Sequence, residues 1–280
     1  MNRPKRRLIL IIGVPDSGKT ALALRITDAM IATPGYDSVF VLDVGEQHSV
    51  LLNPFIGDLQ SQIEYLEEDE ARIGRAASSG GLQAGMAART LDGPLIRNLT
   101  EFDEYCRLFA AERKSDKPSL IPPRVIWRCG PRSEDYAPPI AEACNIGNVA
   151  IVPCESRRWW PPFKHQWPFM EIPGRDDVTM ESLITEGRSH VRNRHGDHCP
   201  VHLVLDAQSF GLLHWEVRQN VRTVICGRLE GGEAYSIIRK EFGDGTGELV
   251  SRVRKLKMKE WIAVRGEMPE LAPYRGGGRR

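Results

Sequence analysis

The fold of this chain is decided by residues 8–31, which read LILIIGVPDSGKTALALRITDAMI. The first five residues form an unbroken apolar run rich in β-branched side chains, which is typical of a parallel strand buried on both faces. Residues 13–18 contain two glycines and a proline and cannot be regular structure, whereas residues 20–31 carry apolar side chains at helical spacing. The sequence therefore predicts a strand, a tight loop and a helix in direct succession.

The loop fits the pattern G-x-x-x-x-G-K-[ST] at every fixed position. Its two glycines allow successive N–H groups to curl around a phosphate, and the helix that follows points its positive end at the same oxygens. In this pattern the lysine lies on the β- and γ-phosphates and the threonine hydroxyl binds Mg²⁺. We therefore expect ATP and Mg²⁺ to bind at Gly13, Val14, Pro15, Asp16, Ser17, Gly18, Lys19 and Thr20.

Strand-like and helix-like segments alternate through the rest of the chain, which predicts a parallel sheet flanked by helices in one α/β domain. We expect this domain to span residues 1–270, with an insertion around residues 50–120 and a flexible tail over residues 271–280; a division into two domains near residue 120 is the alternative. Further strands are predicted over residues 38–42, 124–129, 149–152, 201–205, 223–226 and 252–264. Further helices are predicted over residues 101–113, 135–144, 179–194 and 234–242.

Composition narrows the class of protein. The 280 residues include 38 Lys and Arg against 37 Asp and Glu, so the chain is not a polycation, and any nucleic-acid surface must arise from local clustering. Six cysteines without a Cys-x-x-Cys spacing argue against a disulfide framework and a zinc ribbon, and suit a reducing cytoplasm. The longest apolar run, residues 8–12, is too short to span a bilayer, so we expect no membrane span.

Three predicted strands end in or near an acidic residue that could serve hydrolysis: Asp43, Glu155 and Asp206. A P-loop ATPase needs an acid for the Mg²⁺ shell and a carboxylate that polarises water. We expect Glu155 to be the catalytic base, although a surface position after the strand is the alternative. Cys154 stands where an aspartate usually precedes that glutamate, and Asp43 or Asp206 is a candidate to replace the missing acid. Gln208 stands in a position suited to sensing phosphate.

The order of these pieces, from the P-loop through the 42–46, 124–128, 154–155, 186–190 and 207–221 segments, resembles the small FtsK/HerA-type ATPases. The similarity extends from Arg7 to Phe242. It is greatest to genome-packaging ATPases of tailless icosahedral viruses of the adenovirus–tectivirus lineage, and next to Zot-like assembly ATPases of filamentous phages. Only the P-loop is a highly specific match; the other pieces match by order and spacing.

This resemblance implies a RecA/ASCE-like P-loop NTPase that hydrolyses ATP to move double-stranded DNA. It implies that Glu155 is the catalytic glutamate and that Gln208 reads the γ-phosphate. Such ATPases form rings, usually hexamers, in which an arginine from one subunit completes the neighbour's site; Arg188 or Arg222 is our candidate for that arginine finger. The expected partners are DNA and proteins of a capsid vertex, in the host cytoplasm or in the virion at a packaging vertex.

Two other functions stay open at this point. Cys154 favours a Zot-like assembly or scaffold protein that binds nucleotide with weak turnover, and a P-loop kinase is a third possibility. Three basic segments have alternative interpretations as well. Residues 188–202 could line a DNA-gripping pore or supply a zinc site from His195, His198, Cys199 and His202, although the spacing matches no usual ligand pattern. Residues 157–167 mix cations with tryptophans, which suits stacking on bases or clamping a nucleic-acid backbone; an aromatic lid on the sheet or a subunit contact is the alternative. The predicted strand at 252–264 is basic through residue 259 and could face DNA or a capsid, or could carry solvated lysines of an edge strand.

Overall fold

The computed structural model describes residues 7–33, 36, 38–43, 95–96, 98–112, 124–129, 133–153, 171–172, 175–185, 191–198, 200–213 and 215–272. A single eight-stranded sheet runs through this part of the chain, in the order β10-β9-β1-β8-β5-β2-β4-β3. Its strands are β1 Leu8–Ile12, β2 Ser38–Asp43, β3 Leu95–Ile96, β4 Arg124–Arg128, β5 Val149–Pro153, β8 His202–Ala207, β9 Thr223–Cys226 and β10 Ile262–Arg265. A separate antiparallel pair consists of β6 Glu171–Ile172 and β7 Arg175–Thr179.

All neighbouring strands of the large sheet are parallel except β10, which pairs antiparallel with β9 at one edge. The helices are α1 Lys19–Ala32, α2 Leu99–Glu112, α3 Ala137–Ile146, α4 Met180–Thr185, α5 Trp215–Asn220, α6 Gly232–Glu241 and α7 Glu248–Arg254. Short 3₁₀ turns occupy Ser133–Tyr136 and Phe210–Leu212. The predicted α/β class with a mainly parallel sheet is confirmed. Both β3 and α2 come from the segment expected to be an insertion.

The sheet is covered on both faces because side chains alternate along each strand. On one face, Ile9 and Ile11 of β1 pack with Leu22 and Ile26 of α1. On the other face, Leu10 joins a larger cluster that includes buried residues of α3, α6 and α7. Every residue of β1, β2 and β5 is buried, which explains the apolar runs 8–12, 39–42 and 149–153 in the sequence.

A buried ion pair fixes α1 across the sheet. Arg124 begins β4 and is 1% exposed, and its guanidinium donates to the carboxylate of Asp28 in α1. Because α1 follows β1 directly, this contact connects the helix after the 13–18 loop to a strand four positions away in the sheet. The pair therefore holds the second half of α1 against the sheet, away from the first residue of the helix, Lys19.

Among the described residues of the helix predicted over 179–194, which are 179–185 and 191–194, those of α4 alone are helical, and β7 already includes Thr179. Residues 192–198 instead form a tight turn closed by a bridge between Arg192 and His198. The side-chain oxygen of Asn193 accepts hydrogen bonds from the N–H groups of His195 and Asp197, at 3.0 and 2.9 Å. Asparagine often stabilises turns in this way, and here the turn prevails over helical spacing.

The strand predicted over residues 252–264 is also wrong in its first half. Residues up to Arg254 belong to α7, in which Val250 and Val253 are buried one helical turn apart. Only Ile262–Arg265 forms the edge strand. The alternation of basic and apolar residues was therefore a helical period followed by a turn, a distinction that a short segment does not make by itself.

The first residues of the predicted tail contact α1. Ala272 exchanges hydrogen bonds with Arg25 of α1: its N–H donates to the Arg25 carbonyl at 3.1 Å, and its carbonyl accepts from Arg25 Nε at 2.6 Å. The first two residues of the predicted tail thus lie against α1, and residues 273–280 fall outside the described part.

Among the described residues, no helix is both long and apolar enough to cross a bilayer.

Candidate nucleotide-binding site

The loop between β1 and α1 is held in place by its own short contacts. Ser17 is fully buried, and its hydroxyl donates to the Val14 carbonyl at 2.7 Å. Asp16 and Gly18 both have left-handed backbones, with φ of 59° and 88°. A methyl group at Gly13 would lie 2.8 Å from Ser17 Oγ, so this position has no room for a side chain. The loop is therefore a compact turn whose shape depends on the two glycines of the motif.

Neighbouring strands anchor the same loop. The N–H of Gly13 donates to the carbonyl of Ala207 at the end of β8, at 3.2 Å. On the other side, Val14 donates to the Arg228 carbonyl at 3.1 Å, and Gly227 donates to the Ile12 carbonyl at 2.8 Å. Because β9 and β8 both run parallel to β1, their carboxyl ends meet at the loop. This sheet edge is where ligands bind in open parallel sheets.

The N-terminus of α1 faces this edge without a capping side chain. Gly18 is the N-cap residue, no side chain caps the helix there, and its first turn contains no acidic residue. The first N–H groups of a helix have no partner within the helix and carry its partial positive charge. This end of α1 is thus suited to an anion such as a phosphate.

Lys19 lies across the loop. Its Nζ donates to the carbonyls of Gly13 and Val14, both at 2.9 Å. Burial lowers the pKa of Lys19 below its ordinary value, while the nearby charges of Asp206 and Asp16 act in the opposite direction. A lysine held by neutral carbonyls can exchange these partners for phosphate oxygens, which bind an ammonium group more strongly.

Asp206 is close to Lys19, and strand alternation explains why. In β8 the side chain of Val204 packs in the α1 cluster, whereas Leu203 and Leu205 pack on the opposite face. Asp206 therefore shares the α1 face of the sheet with Val204. It is paired in register with Ile11 of β1, two residues before the loop begins.

Asp43, the other candidate for the missing acid, lies further away. It ends β2, which is separated from β1 by both β8 and β5. Three strand spacings correspond to roughly 14 Å. Asp43 is 1% exposed, and its carbonyl accepts a hydrogen bond from the N–H of Cys129 at 2.8 Å. Of the two acids, the structure brings Asp206 and not Asp43 to the loop.

The remaining predicted site residues have different outcomes. Gln208 is exposed and follows β8 directly, next to the residue that accepts from Gly13. Arg222 is exposed and precedes β9. It therefore lies at the amino ends of the parallel strands, on the opposite side of the sheet from the loop. Glu155, Cys154 and Arg188 lie outside the described residues. Glu155 follows β5 by two residues, and β5 is separated from β1 only by β8.

Two residues that the motif search missed pack against the loop from the C-terminal end of the chain. The ring of Trp261 lies so close that a methyl group at Gly13 would meet it at 3.4 Å, and one at Gly227 at 2.6 Å. The Cγ of Lys259 would lie 3.5 Å from a methyl group at Gly18. Neither residue belongs to a motif, so only the antiparallel return of β10 beside β9 reveals them.

The histidines of the basic segment 188–202 do not come together in the described part of the chain. His202 is buried at the start of β8, where its Nδ1 accepts from the Arg7 N–H at 3.0 Å and its ring lies 4.7 Å from that of Tyr36. His195 and His198 are exposed in the 192–198 turn. Within the described part of the chain, no three metal-ligating side chains come together. Cys199 and the tryptophan-rich segment at 157–167 lie outside that part.

No protein-family model and no curated protein matches the chain. The chain is similar in structure to the genome packaging NTPase B204 from Sulfolobus turreted icosahedral virus 2. Its complex with AMP has a TM-score of 0.53 at 13% identity, over 94% of this chain and 93% of that chain. Its complex with ATP-gammaS has a TM-score of 0.51 at 12% identity, over 94% and 92%. Its complex with AMPPCP has a TM-score of 0.51 at 13% identity, over 96% and 100%.

At this low identity the similarity establishes the fold. The parallel sheet, the loop after β1 and the helix that follows it agree with the sequence-based expectation. The resemblance to the FtsK/HerA-type packaging ATPases is thereby confirmed at the level of the fold. The chain has a P-loop NTPase fold, which it shares with a viral genome-packaging NTPase.

Proposed function

We propose that this protein is an ATP-hydrolysing motor that moves double-stranded DNA, and that its cargo is a viral genome entering a capsid. The observation that carries the proposal is the position of Lys19. Its ammonium group lies over the carbonyls of Gly13 and Val14, at the uncapped N-terminus of α1. The similarity in fold to a packaging NTPase supports the choice of cargo.

The oxygen donors at the loop suit Mg²⁺. The Thr20 hydroxyl follows Lys19 in α1, and the Asp206 carboxylate is near enough to influence the pKa of that lysine. Hard divalent cations prefer such oxygen ligands to a thiol, so Asp206 can take the role that Cys154 is unsuited to fill. When bound, the ion would neutralise charge on the phosphates and leave Lys19 free to bind their outer oxygens.

The strand order supports a role in hydrolysis for Glu155, which follows β5 in the sequence. We propose that Glu155 takes a proton from water while the water oxygen bonds to the γ-phosphorus. The bond from that phosphorus to the β–γ bridging oxygen then breaks and releases ADP. We propose that Gln208, which directly follows the strand between β1 and β5, responds to the γ-phosphate; the strand order supports this role.

Coupling between subunits requires a cation from outside the subunit. Arg222 is exposed at the sheet edge opposite its own loop, so its guanidinium would serve a neighbour and not its own nucleotide. Arg188 is the other candidate. We propose a homo-oligomeric ring, a hexamer by analogy with the resembling family, that docks at a capsid vertex in the host cytoplasm. An arginine finger of this kind stabilises charge in the transition state.

The test is ATP turnover titrated with duplex DNA, together with a mass measurement of the assembled species. The proposal predicts phosphate release that DNA stimulates, a ring-sized assembly, and loss of the stimulated turnover in Lys19→Ala. Lys257→Ala, which removes an exposed lysine, is the matched control and should behave as wild type. DNA-stimulated turnover that persists in Lys19→Ala would contradict the proposal.

A Zot-like assembly protein is the second candidate, and Cys154 is the residue that favours it. It predicts that ATP binds but turns over negligibly, with or without DNA. The same titration separates the two functions. Transfer of phosphate to a supplied acceptor, without release of free phosphate, would instead point to a kinase.

A further inference from the structure

A tight turn near the C-terminus lies against the P-loop. The N–H of Glu260 donates to the Lys257 carbonyl at 3.2 Å, and the N–H of Lys257 donates to the Glu260 carboxylate at 2.8 Å. Residues 257–260 are thus a four-residue turn closed by hydrogen bonds in both directions. Its third residue, Lys259, has its Cγ 3.5 Å from the point that a methyl group on Gly18 would occupy. The side chain continues from that atom through Cδ and Cε to the ammonium group.

The backbone of Lys259 is unusual for its residue type. Its φ is +68°, in the left-handed region where the third position of a turn strongly favours glycine or asparagine. Residues held in such conformations cluster at functional sites, because the surrounding structure must maintain them against their local preference. The lysine at this strained position therefore suggests that its side chain has a function.

Packing holds the turn at the loop. Trp261, two residues later, lies against Gly13 and Gly227, and β10 then pairs with β9. Leu256, just before the turn, packs against the larger core cluster. Packing on both sides therefore fixes the turn. Lys259 forms no ion pair with any other described residue, so its position does not depend on one.

We propose that Lys259 is a second phosphate-binding lysine, which adds its ammonium group to that of Lys19 at the triphosphate of the same subunit. The inference rests on the proposed nucleotide site and goes beyond its motif. The contact with Gly18 places the side chain beside the N-cap of α1, where the phosphates of a bound nucleotide would lie. A charge-assisted hydrogen bond to a phosphate contributes enough to alter affinity about tenfold.

The test measures binding of ATP-gammaS with Mg²⁺ by calorimetry, and thermal unfolding, in four variants of the full chain. Lys259→Gln removes the charge and keeps the backbone strain, whereas Lys259→Gly removes both. Lys259→Arg keeps a cation. Lys257→Ala removes an equal charge from the same turn and is the matched control.

We expect about tenfold weaker binding in Lys259→Gln and Lys259→Gly, and binding within about threefold of wild type in Lys259→Arg and Lys257→Ala. We also expect Lys259→Gly to raise the melting temperature, because glycine prefers a positive φ. Unchanged affinity in both Lys259→Gln and Lys259→Gly would overturn the inference. So would an equal loss in Lys257→Ala, which would indicate general electrostatic attraction.

Lys19→Ala, measured alongside, separates this inference from the proposed function. If Lys19→Ala also binds ATP-gammaS as wild type does, the nucleotide site itself is wrong. If Lys19→Ala loses binding and Lys259→Gln retains it, only the role of Lys259 is overturned.

Discussion

Lys19 begins α1 and Arg124 contacts the same helix from β4, and the two cations differ in what they bind. Arg124 is 1% exposed and is neutralised within the fold by the Asp28 carboxylate. Lys19 is only partly buried and donates to two neutral carbonyls at the carboxyl edge of the sheet. The first cation contacts a carboxylate directly, whereas the second donates to neutral carbonyls that phosphate oxygens of a ligand can replace. Charge in the interior maintains the position of α1, and charge at its N-terminus is available for chemistry.

Removal of Arg124 tests the interior region and carries the largest expected effect. Arg124→Met leaves Asp28 buried without its partner, so the free energy of unfolding in urea should fall by about 3–5 kcal/mol. The control is Arg128→Met in the same strand, where the side chain is exposed and the loss should stay below about 1 kcal/mol. Affinity for ATP-gammaS per folded molecule should not change. Similar losses in the two variants would remove the contrast between the regions.

Replacement of the two candidate acids compares the same regions through hydrolysis. Asp206→Asn should lower ATP turnover by about 100-fold or more, because it removes an acid beside Lys19. Asp43→Asn, three strands away, should leave turnover per folded molecule within about twofold. Steady-state phosphate release measures both. A larger loss in Asp43→Asn would reassign the acid to β2.

The packing behind the loop gives a third, smaller effect. Gly227→Ala would push a methyl group to within 2.6 Å of the Trp261 ring, so we expect a loss of about 1–3 kcal/mol in the free energy of unfolding. Unlike Arg124→Met, this change should also weaken ATP-gammaS binding, because Gly227 bonds to the strand that leads into the loop.

Trp261→Leu provides the matched background for that experiment. With the ring removed, Gly227→Ala should cost markedly less, and a double-mutant cycle measures the difference. Additive effects would show that the ring does not act on the loop through Gly227.

The lowered pKa of Lys19 predicts the smallest effect, a proton exchange on binding. Burial makes the free protein lose this proton at a lower pH than ordinary lysine, and a bound phosphate anion raises the pKa again. As pH rises through the pKa of the free protein, nucleotide binding must therefore take up a proton and affinity must fall. Calorimetry in buffers of different ionisation enthalpy, at alkaline pH below the ordinary pKa of lysine, measures the uptake. Lys19→Ala should show none, and equal uptake in both proteins would assign the proton elsewhere.

Much of the fold was predictable because its information is local. Five buried residues in β1, a glycine loop and an apolar helix are contiguous, so residues 8–31 predict their own structure. The other parallel strands are short apolar runs for the same reason. The segments at 179–194 and 252–264 were misassigned because basic residues there mask the period, and because an asparagine turn and a short helix depend on tertiary contacts.

The site was predictable only where it is a motif. Sequence leaves Asp43 and Asp206 as equal alternatives, and strand order separates them, since β8 adjoins β1 and β2 does not. Trp261 and Lys259 come from more than 230 residues after the loop and reach it through the antiparallel pairing of β10 with β9. No sequence spacing predicts a contact between residues that approach each other because an edge strand pairs with the sheet.

The most direct test of the account is a crystal structure of the protein with ATP-gammaS and Mg²⁺. The account predicts that the β- and γ-phosphates lie within the loop of residues 13–20. It also predicts that the ammonium group of Lys19 has moved from the carbonyls of Gly13 and Val14 to phosphate oxygens. A nucleotide bound elsewhere, with Lys19 still on those two carbonyls, would contradict it.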